Sequence, residues 1–249
     1  MSINITKTPT VLGALLKADF IVLWRNRRAN MMSILMPLII VFAWKGLIPQ
    51  FGGAFVLANG ITLGIIAIGL MGYANAVARD RDKGVFQRLR VSPLPLWTIM
   101  ASRLLVQLSM ILLLTIVVFI AGYQLDGILM PAAGYLVTFF VSLVGGALYL
   151  SLGQAIVGRV QTPETVSSTT RLIYLAFIMT GMLGQFDYFG IDFKKIVDWS
   201  PYGTVKTILA YSFEPSKWNL HATGALILTM AYTIVFATLG IKWFRWNGK

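Results

Sequence analysis

Residues equipped to act on another molecule are concentrated in one stretch. Residues 79–95 read Arg-Asp-Arg-Asp-Lys-Gly-Val-Phe-Gln-Arg-Leu-Arg-Val-Ser-Pro-Leu-Pro, the most charged run in the chain. A short helix over about 84–91 is predicted here, with Phe86 and Leu89 as apolar knobs and Arg88 and Arg90 beside them. Ser92-Pro93 ends it, because proline disfavours helical backbone in the residue before it. A charged helix with a few apolar knobs suits docking on a soluble partner. The plainer reading is a basic loop that does no more than set membrane topology.

Other chemistries lack their residues. There is no cysteine, so disulfides, thiolate metal sites and a Cys nucleophile are excluded. The single histidine, His221, cannot build a His-rich metal cluster, and no metal site is expected. Ser151 and Ser167 have no Gly-x-Ser-x-Gly frame. No Gly-x-x-x-x-Gly-Lys-Ser/Thr phosphate loop is present, so ATP hydrolysis is not expected on this chain. Asn59, Thr62, Asn75, Gln107, Gln154 and Gln185 fall within or near apolar stretches. Five of them, Asn59, Asn75, Gln107, Gln154 and Gln185, are candidates for lining a pathway, since polar groups in hydrocarbon often face a bundle interior. The plainer reading for each is an interhelical hydrogen bond worth about 0.6 kcal/mol. No carboxylate lies deep in a span, which argues against a proton-driven antiporter and an intramembrane enzyme.

The elements that must hold these residues are membrane helices. The 249 residues are 57% hydrophobic and 12% charged, about half the charge of a soluble domain at roughly 25%. The net charge of +12 is distributed between long apolar runs, which is a topology signal and not a nucleic-acid footprint. Six spans of about 20 apolar residues are expected, near 31–48, 54–76, 96–123, 132–157, 168–186 and 220–243. Residues 11–28 are predicted to form an amphipathic helix lying in the interface. Leu12, Leu15, Leu16, Phe20 and Leu23 share a face, Lys17, Arg25 and Arg28 lean elsewhere, and Trp24 is a headgroup anchor. This segment is not a signal peptide, because its apolar run is broken and no small-residue cleavage site follows. With six spans, sixteen Lys and Arg fall on the side of the termini and five on the other. Both termini are therefore expected in the cytoplasm of a multi-pass protein. Residues 187–219 form the long external connection, too polar to span and too apolar for a plain loop. Short re-entrant helices fit it, with protein covering their backbone.

Three patches carry a resemblance. The run from Asp82-Lys83-Gly84-Val85-Phe86-Gln87-Arg88-Leu89-Arg90 through Ser92-Pro93-Leu94 resembles the cytoplasmic signature of the ABC-2 type transporter permeases. That signature is acid-Lys/Arg-Gly-x-apolar-x-Arg-Leu followed by Ser/Thr-Pro-Leu. Trp24-Arg25-Asn26 is similar to the family's entry into span one, and Trp199-Ser200-Pro201-Tyr202 to the stretch before its last span. The family usually carries Glu where Asp82 stands and often Pro where Arg27 stands.

The resemblance implies one transmembrane domain over 1–249. It implies the permease subunit of an ATP-driven exporter in the cell membrane, a prokaryotic plasma membrane. Two permease copies, a homodimer surrounded by lipid, would pair with two separate ATPase subunits that bind ATP and Mg. Asp82, Lys83, Gly84, Phe86, Arg88, Leu89 and Arg90 would couple to the ATPase, and the helix bearing Trp24 and Arg25 would add to that contact. The cargo would be a lipid-like or amphipathic drug or peptide. The alternative is a non-transporting anchor that recruits an ATPase for signalling or antibiotic immunity.

Overall fold

The computed structural model describes residues 8–25, 27–90, 96–184 and 191–244. Regular structure within them is helical throughout. Helix α1 (Thr8–Arg25) leads into α2 (Arg27–Ala43). After Ala43 the chain bends by 43° into a short turn of helix and α3 (Ile48–Phe51). Then α4 (Gly53–Ile66), a π-helical segment (Ala67–Ala74) and α5 (Asn75–Asp82) run on as one element of 30 residues. Next come α6 (Val85–Arg90), α7 (Leu96–Asp126), α8 (Ala132–Arg159) and α9 (Pro163–Leu183). The chain closes with α10 (Ile191–Trp199), α11 (Pro201–Ser212) and α12 (Leu220–Trp243).

The Gly53–Asp82 element is the centre of the bundle. Its composition is apolar all round, and every residue from 56 to 70 is buried, as expected of a helix surrounded by other helices. Helices α2, α7, α8 and α11 pack along it, and α9 reaches its π segment. At about 45 Å it exceeds the ~30 Å hydrocarbon core, so its charged end, Arg79 to Asp82, extends past the apolar layer.

Close approach explains the glycines at the contacts. A Cβ added to Gly153 on α8 would lie 2.6 Å from the Gly69 carbonyl oxygen, and one on Gly69 would lie 2.8 Å from the Tyr149 backbone. Helices α8 and α12 meet the same way. A Cβ on Gly240 would lie 2.9 Å from Gln154 Cγ, and one on Gly158 would lie 3.1 Å from Trp243 Cβ. Small residues allow such contact where lipid offers no hydrophobic drive between helices.

Among the described residues, four helices are long and apolar enough to cross a membrane: Gly53–Asp82, Thr98–Gln124, Ala132–Arg159 and Leu220–Trp243. The bent pair Ser33–Ala43 and Lys45–Phe51 makes a fifth if taken as one broken span. The remaining expected span coincides with α9. Its 21 residues reach about 31 Å, but its first half holds Glu164, Ser167, Ser168, Thr169, Thr170 and Arg171, which lowers its apolar character.

Helix α1 does not sort cleanly into the expected apolar and polar faces. Lys17 and Arg25 are exposed, and Leu15 and Leu23 pack on the core. Phe20, Ile21, Val22 and Trp24 are also exposed, while the acidic Asp19 turns inward to accept a hydrogen bond from Ser102 Oγ at 2.5 Å. The short helices expected within 187–219 are α10 and α11. Ser200 caps α11 by accepting from the Gly203 N–H at 3.2 Å, with Pro201 at the first helical position. The Trp-Ser-Pro-Tyr patch is thus a helix stop and restart. At 9 and 12 residues, about 14 and 18 Å, neither helix can span the hydrocarbon.

Gly153→Leu is expected to destabilise the fold by about 1–3 kcal/mol through overpacking against Gly69. Gly13→Ala, where nothing lies within 4 Å, is expected to be neutral or slightly stabilising. Thermal unfolding in detergent checks both, and equal midpoints for the two variants would contradict the packing account.

Candidate coupling segment and intramembrane groove

The charged end of the central helix is built around a buried cation. Arg81 is 4% exposed, although charged neighbours flank it in sequence. Its guanidinium donates to the carbonyls of Val157 (2.7 Å), Val160 (2.7 Å) and Gln161 (2.6 Å). These oxygens lie at and just beyond the end of α8, where the last carbonyls of a helix have no intrahelical partner and carry the negative end of its dipole. A planar fork with several donors can satisfy all three. Sequence reasoning placed Arg81 in a topological loop and missed this role. The signal was available, because Ala74, Val77, Ala78 and Arg81 follow the 3–4 spacing of one buried helix face.

The turn that follows depends on Gly84. Its φ of +66° lies in the left-handed region that favours glycine. The Lys83 and Gly84 N–H groups close the helix end onto the Arg79 and Arg81 carbonyls at 3.0 and 3.1 Å. Helix α6 then starts at Val85, within the predicted 84–91. One expectation is corrected here. Phe86 is not an outward knob but is 1% exposed. Its ring meets Phe244 edge-on at 5.8 Å and lies 4.9 Å below the Arg103 guanidinium. Arg103 in turn donates to Asp80 Oδ2 at 2.5 Å. Burial of the ring and the cation–π contact outweigh its exposure at the surface.

The outward side of the segment consists of Asp82, Lys83, Gln87 and Arg88, with Leu89 half-buried. Arg88 Nη2 donates back to the Lys83 carbonyl at 2.8 Å. Arg90 ends α6, and its side chain lies outside the described residues, as do Ser92 and Pro93. Trp24 on α1 is 71% exposed and Arg25 is exposed.

The polar residues of the spans divide. Asn59 is fully buried and tied at both ends. Its Nδ2 donates to the Phe55 carbonyl at 2.8 Å, and its Oδ1 accepts from Tyr202 Oη at 2.5 Å. Gln154 accepts from Tyr73 Oη at 2.7 Å. Tyr149 Oη donates to the Pro201 carbonyl at 3.0 Å. These bonds join the central helix and α8 to each other and to α11, which is the helix-tie role. Gln107, on α7, borders a separate cavity. Gln185 lies outside the described residues.

Asn75 is different. It borders a groove of about 700 Å³ between α2, the π segment with α5, and α9. That volume suits a small-molecule site, for which about 300–1,000 Å³ is usual. The apolar part of the groove is Met36, Ala67 and Met71, and Ser33, Ser167 and Ser168 add hydroxyls. Arg79, Lys83 and Arg171, with Asp82 and Glu164, supply its charged lining. Asn75 Oδ1 and Tyr174 Oη, both from groove residues, are buried without a hydrogen-bond partner among the described residues. Buried polar atoms are ordinarily satisfied, so these two are open to a hydrogen-bonding guest. The π segment runs directly into Asn75 and lines the groove with Ala67, Met71 and Gly72, a wide-turn geometry common at functional sites. Among the described residues no group of three or more His, Cys, Asp or Glu could hold a metal ion.

Replacing Arg81 by Met removes three charge-assisted bonds and leaves the α8 end uncapped. A loss of about 1.5–3 kcal/mol is expected, with Arg81→Lys recovering only part, since an ammonium cannot fork. Thermal unfolding of the two variants measures the difference.

The chain is 20% identical over 233 residues to YvfS of Bacillus subtilis (strain 168), which carries the name of a transport permease, and the match covers 89% of this chain and 91% of that protein. The profile of the ABC-2 type transporter family matches residues 10–202, a stretch that includes α1, the central helix, the Gly84 turn and the Ser200-Pro201 elbow. This chain belongs to the ABC-2 type transporter family.

Proposed function

We propose that this chain is the permease subunit of an ATP-driven exporter that moves a lipid-like or amphipathic drug or peptide out of the cytoplasm or inner leaflet. Two copies form a homodimer in the cell membrane of a prokaryote, and each engages a separate ATPase subunit that binds ATP and Mg. Each copy has six spans, with α9 completing the set. Both termini are cytoplasmic, α1 lies in the inner interface, and α10 with α11 is re-entrant from the outer side.

One observation supports the mechanism above the rest. A single continuous helix forms the wall of the groove and ends in the coupling segment. A displacement of α6 by the ATPase acts through the Gly84 turn on α5. Arg81 transmits it to the end of α8, and Asp80–Arg103 transmits it to α7. The π segment lies between the moving end and the groove, so widening or tightening of that turn changes the groove. Asp82, Lys83, Arg88, Leu89 and Arg90 form the docking side, and Phe86 anchors α6 from beneath.

The test is reconstitution with the cognate ATPase in proteoliposomes. Arg88→Glu with Arg90→Glu is expected to weaken ATPase association about tenfold, some 1.4 kcal/mol, and to lower ATP-dependent transport in step. Unchanged co-purification and transport would overturn the docking assignment. Recruitment of the ATPase with no cargo movement in the parent chain would instead establish the anchor reading.

Groove variants should separate from docking variants. Asn75→Leu with Tyr174→Phe is expected to leave ATPase association intact and to raise the half-saturating cargo concentration several-fold, a change of about 1 kcal/mol for lost hydrogen bonds. Cargo-concentration curves of transport against a fixed ATPase give the comparison.

A further inference from the structure

A second cavity, of about 410 Å³, lies between α1, the π segment with α5, and α7. It shares Met71, Gly72, Arg79 and Lys83 with the groove but is bounded by α1 and α7 in place of α2 and α9. Two acids border it, and both are engaged: Asp80 by Arg103, and Asp19 by the Ser102 hydroxyl. Arg79 and Lys83 are not. They are four residues apart, on one side of the helix end. Neither side chain has an ion pair or hydrogen bond among the described residues. Besides Asp19, α1 contributes the aliphatic side chains of Val22 and Leu23 to the lining. Val22 is 64% exposed, and Phe20 and Ile21 beside it are exposed as well, so an apolar track continues from the cavity along the outer face of α1.

We infer that this crevice seats the headgroup of an anionic phospholipid of the cytoplasmic leaflet, with its phosphate between Arg79 and Lys83 and its first acyl methylenes against Val22 and Leu23. Two free cations and two aliphatic side chains in one lining match a phosphate joined to hydrocarbon. Basic pockets on the cytoplasmic side of membrane helices bind such headgroups. The cavity is too small for a whole phospholipid, and the track on α1 takes the chains. The seated lipid would bridge α1 to the coupling end of the central helix, making that end sensitive to the anionic lipid content of the membrane. The leaflet assignment rests on the orientation proposed above, whereas binding itself does not.

The full chain in detergent, titrated separately with dioleoyl phosphatidylglycerol, dioleoyl phosphatidylcholine and glycerol phosphate, provides the test. Native mass spectrometry counts retained lipid, and thermal unfolding reports its effect. Phosphatidylglycerol is expected to be retained over phosphatidylcholine and to raise the unfolding midpoint. Val22→Glu, which borders this crevice and not the groove, should weaken phosphatidylglycerol retention about tenfold by repelling the phosphate. Arg79→Glu with Lys83→Glu should abolish it. Equal retention of the two lipids, or unchanged retention in Val22→Glu, would overturn the proposal. Stabilisation by glycerol phosphate equal to that by the lipid would make this a soluble-anion site and would overturn the lipid assignment. Because no ATPase is present and Val22 borders this crevice but not the groove, failure here is distinguishable from failure of the exporter reading.

Discussion

Nearly everything in this protein leans on one helix that is buried along most of its length. In hydrocarbon the backbone must satisfy itself within the segment, so the central element can only be helical, and neighbours on all sides leave it no polar face. Its glycines let α8 approach to backbone contact at Gly69 and Gly153. Asn59 and Thr62, the polar residues it buries deepest, are hydrogen-bonded, Thr62 to the Ala58 carbonyl and Asn59 to α11 through Tyr202. The helix departs from α geometry only at Ala67–Ala74. There the wider turn lies beside both cavities, and regular geometry resumes at Asn75 before the charged end.

At that end the basic residues serve two distinct purposes. Arg81 and Arg103 are turned inward and engaged, one on the carbonyls that close α8, the other on Asp80 and the face of Phe86. Desolvating a guanidinium is costly unless its donors are matched; Arg81 meets three fixed backbone oxygens, and Arg103 meets a carboxylate through one nitrogen and a ring face. These residues join the charged end of the central helix to α8, α7 and α6. Arg79, Lys83 and Arg171 remain available around the cavities, and Arg88 remains on the surface. The inward arginines thus tie helices together, while Arg79, Lys83 and Arg171 line the cavities without an ion pair among the described residues.

The opposite end of the bundle is organised by hydroxyl and amide ties. Tyr202 and Tyr149 fix the start of α11 against the central helix and α8, and Tyr232 Oη donates to the Trp199 carbonyl at 3.1 Å from α12. Lys206 stands 3.6 Å from Asp198 between α10 and α11. This holds two helices too short to span against three long ones, and keeps their ends covered by protein.

Hydropathy and local chemistry were enough, from the sequence, to specify a helical membrane protein, the approximate positions of the central helix and of the long apolar helices α7, α8 and α12, and short helices between residues 187 and 219. They also set a short helix after the charged run, near Gly84, because each of those signals is carried by neighbouring residues and adds along the chain. What only the tertiary structure decided are the pairings between distant positions. Arg81 meets Val157 across 76 residues, and Tyr202 meets Asn59 across 143. The same packing turned Phe86 inward, made Asn59 and Gln154 ties and left Asn75 bordering a cavity. An arginine in a charged run, or an amide in an apolar one, has the same local signature whether it is engaged or free. Which it becomes is settled by the neighbour that packing brings to it.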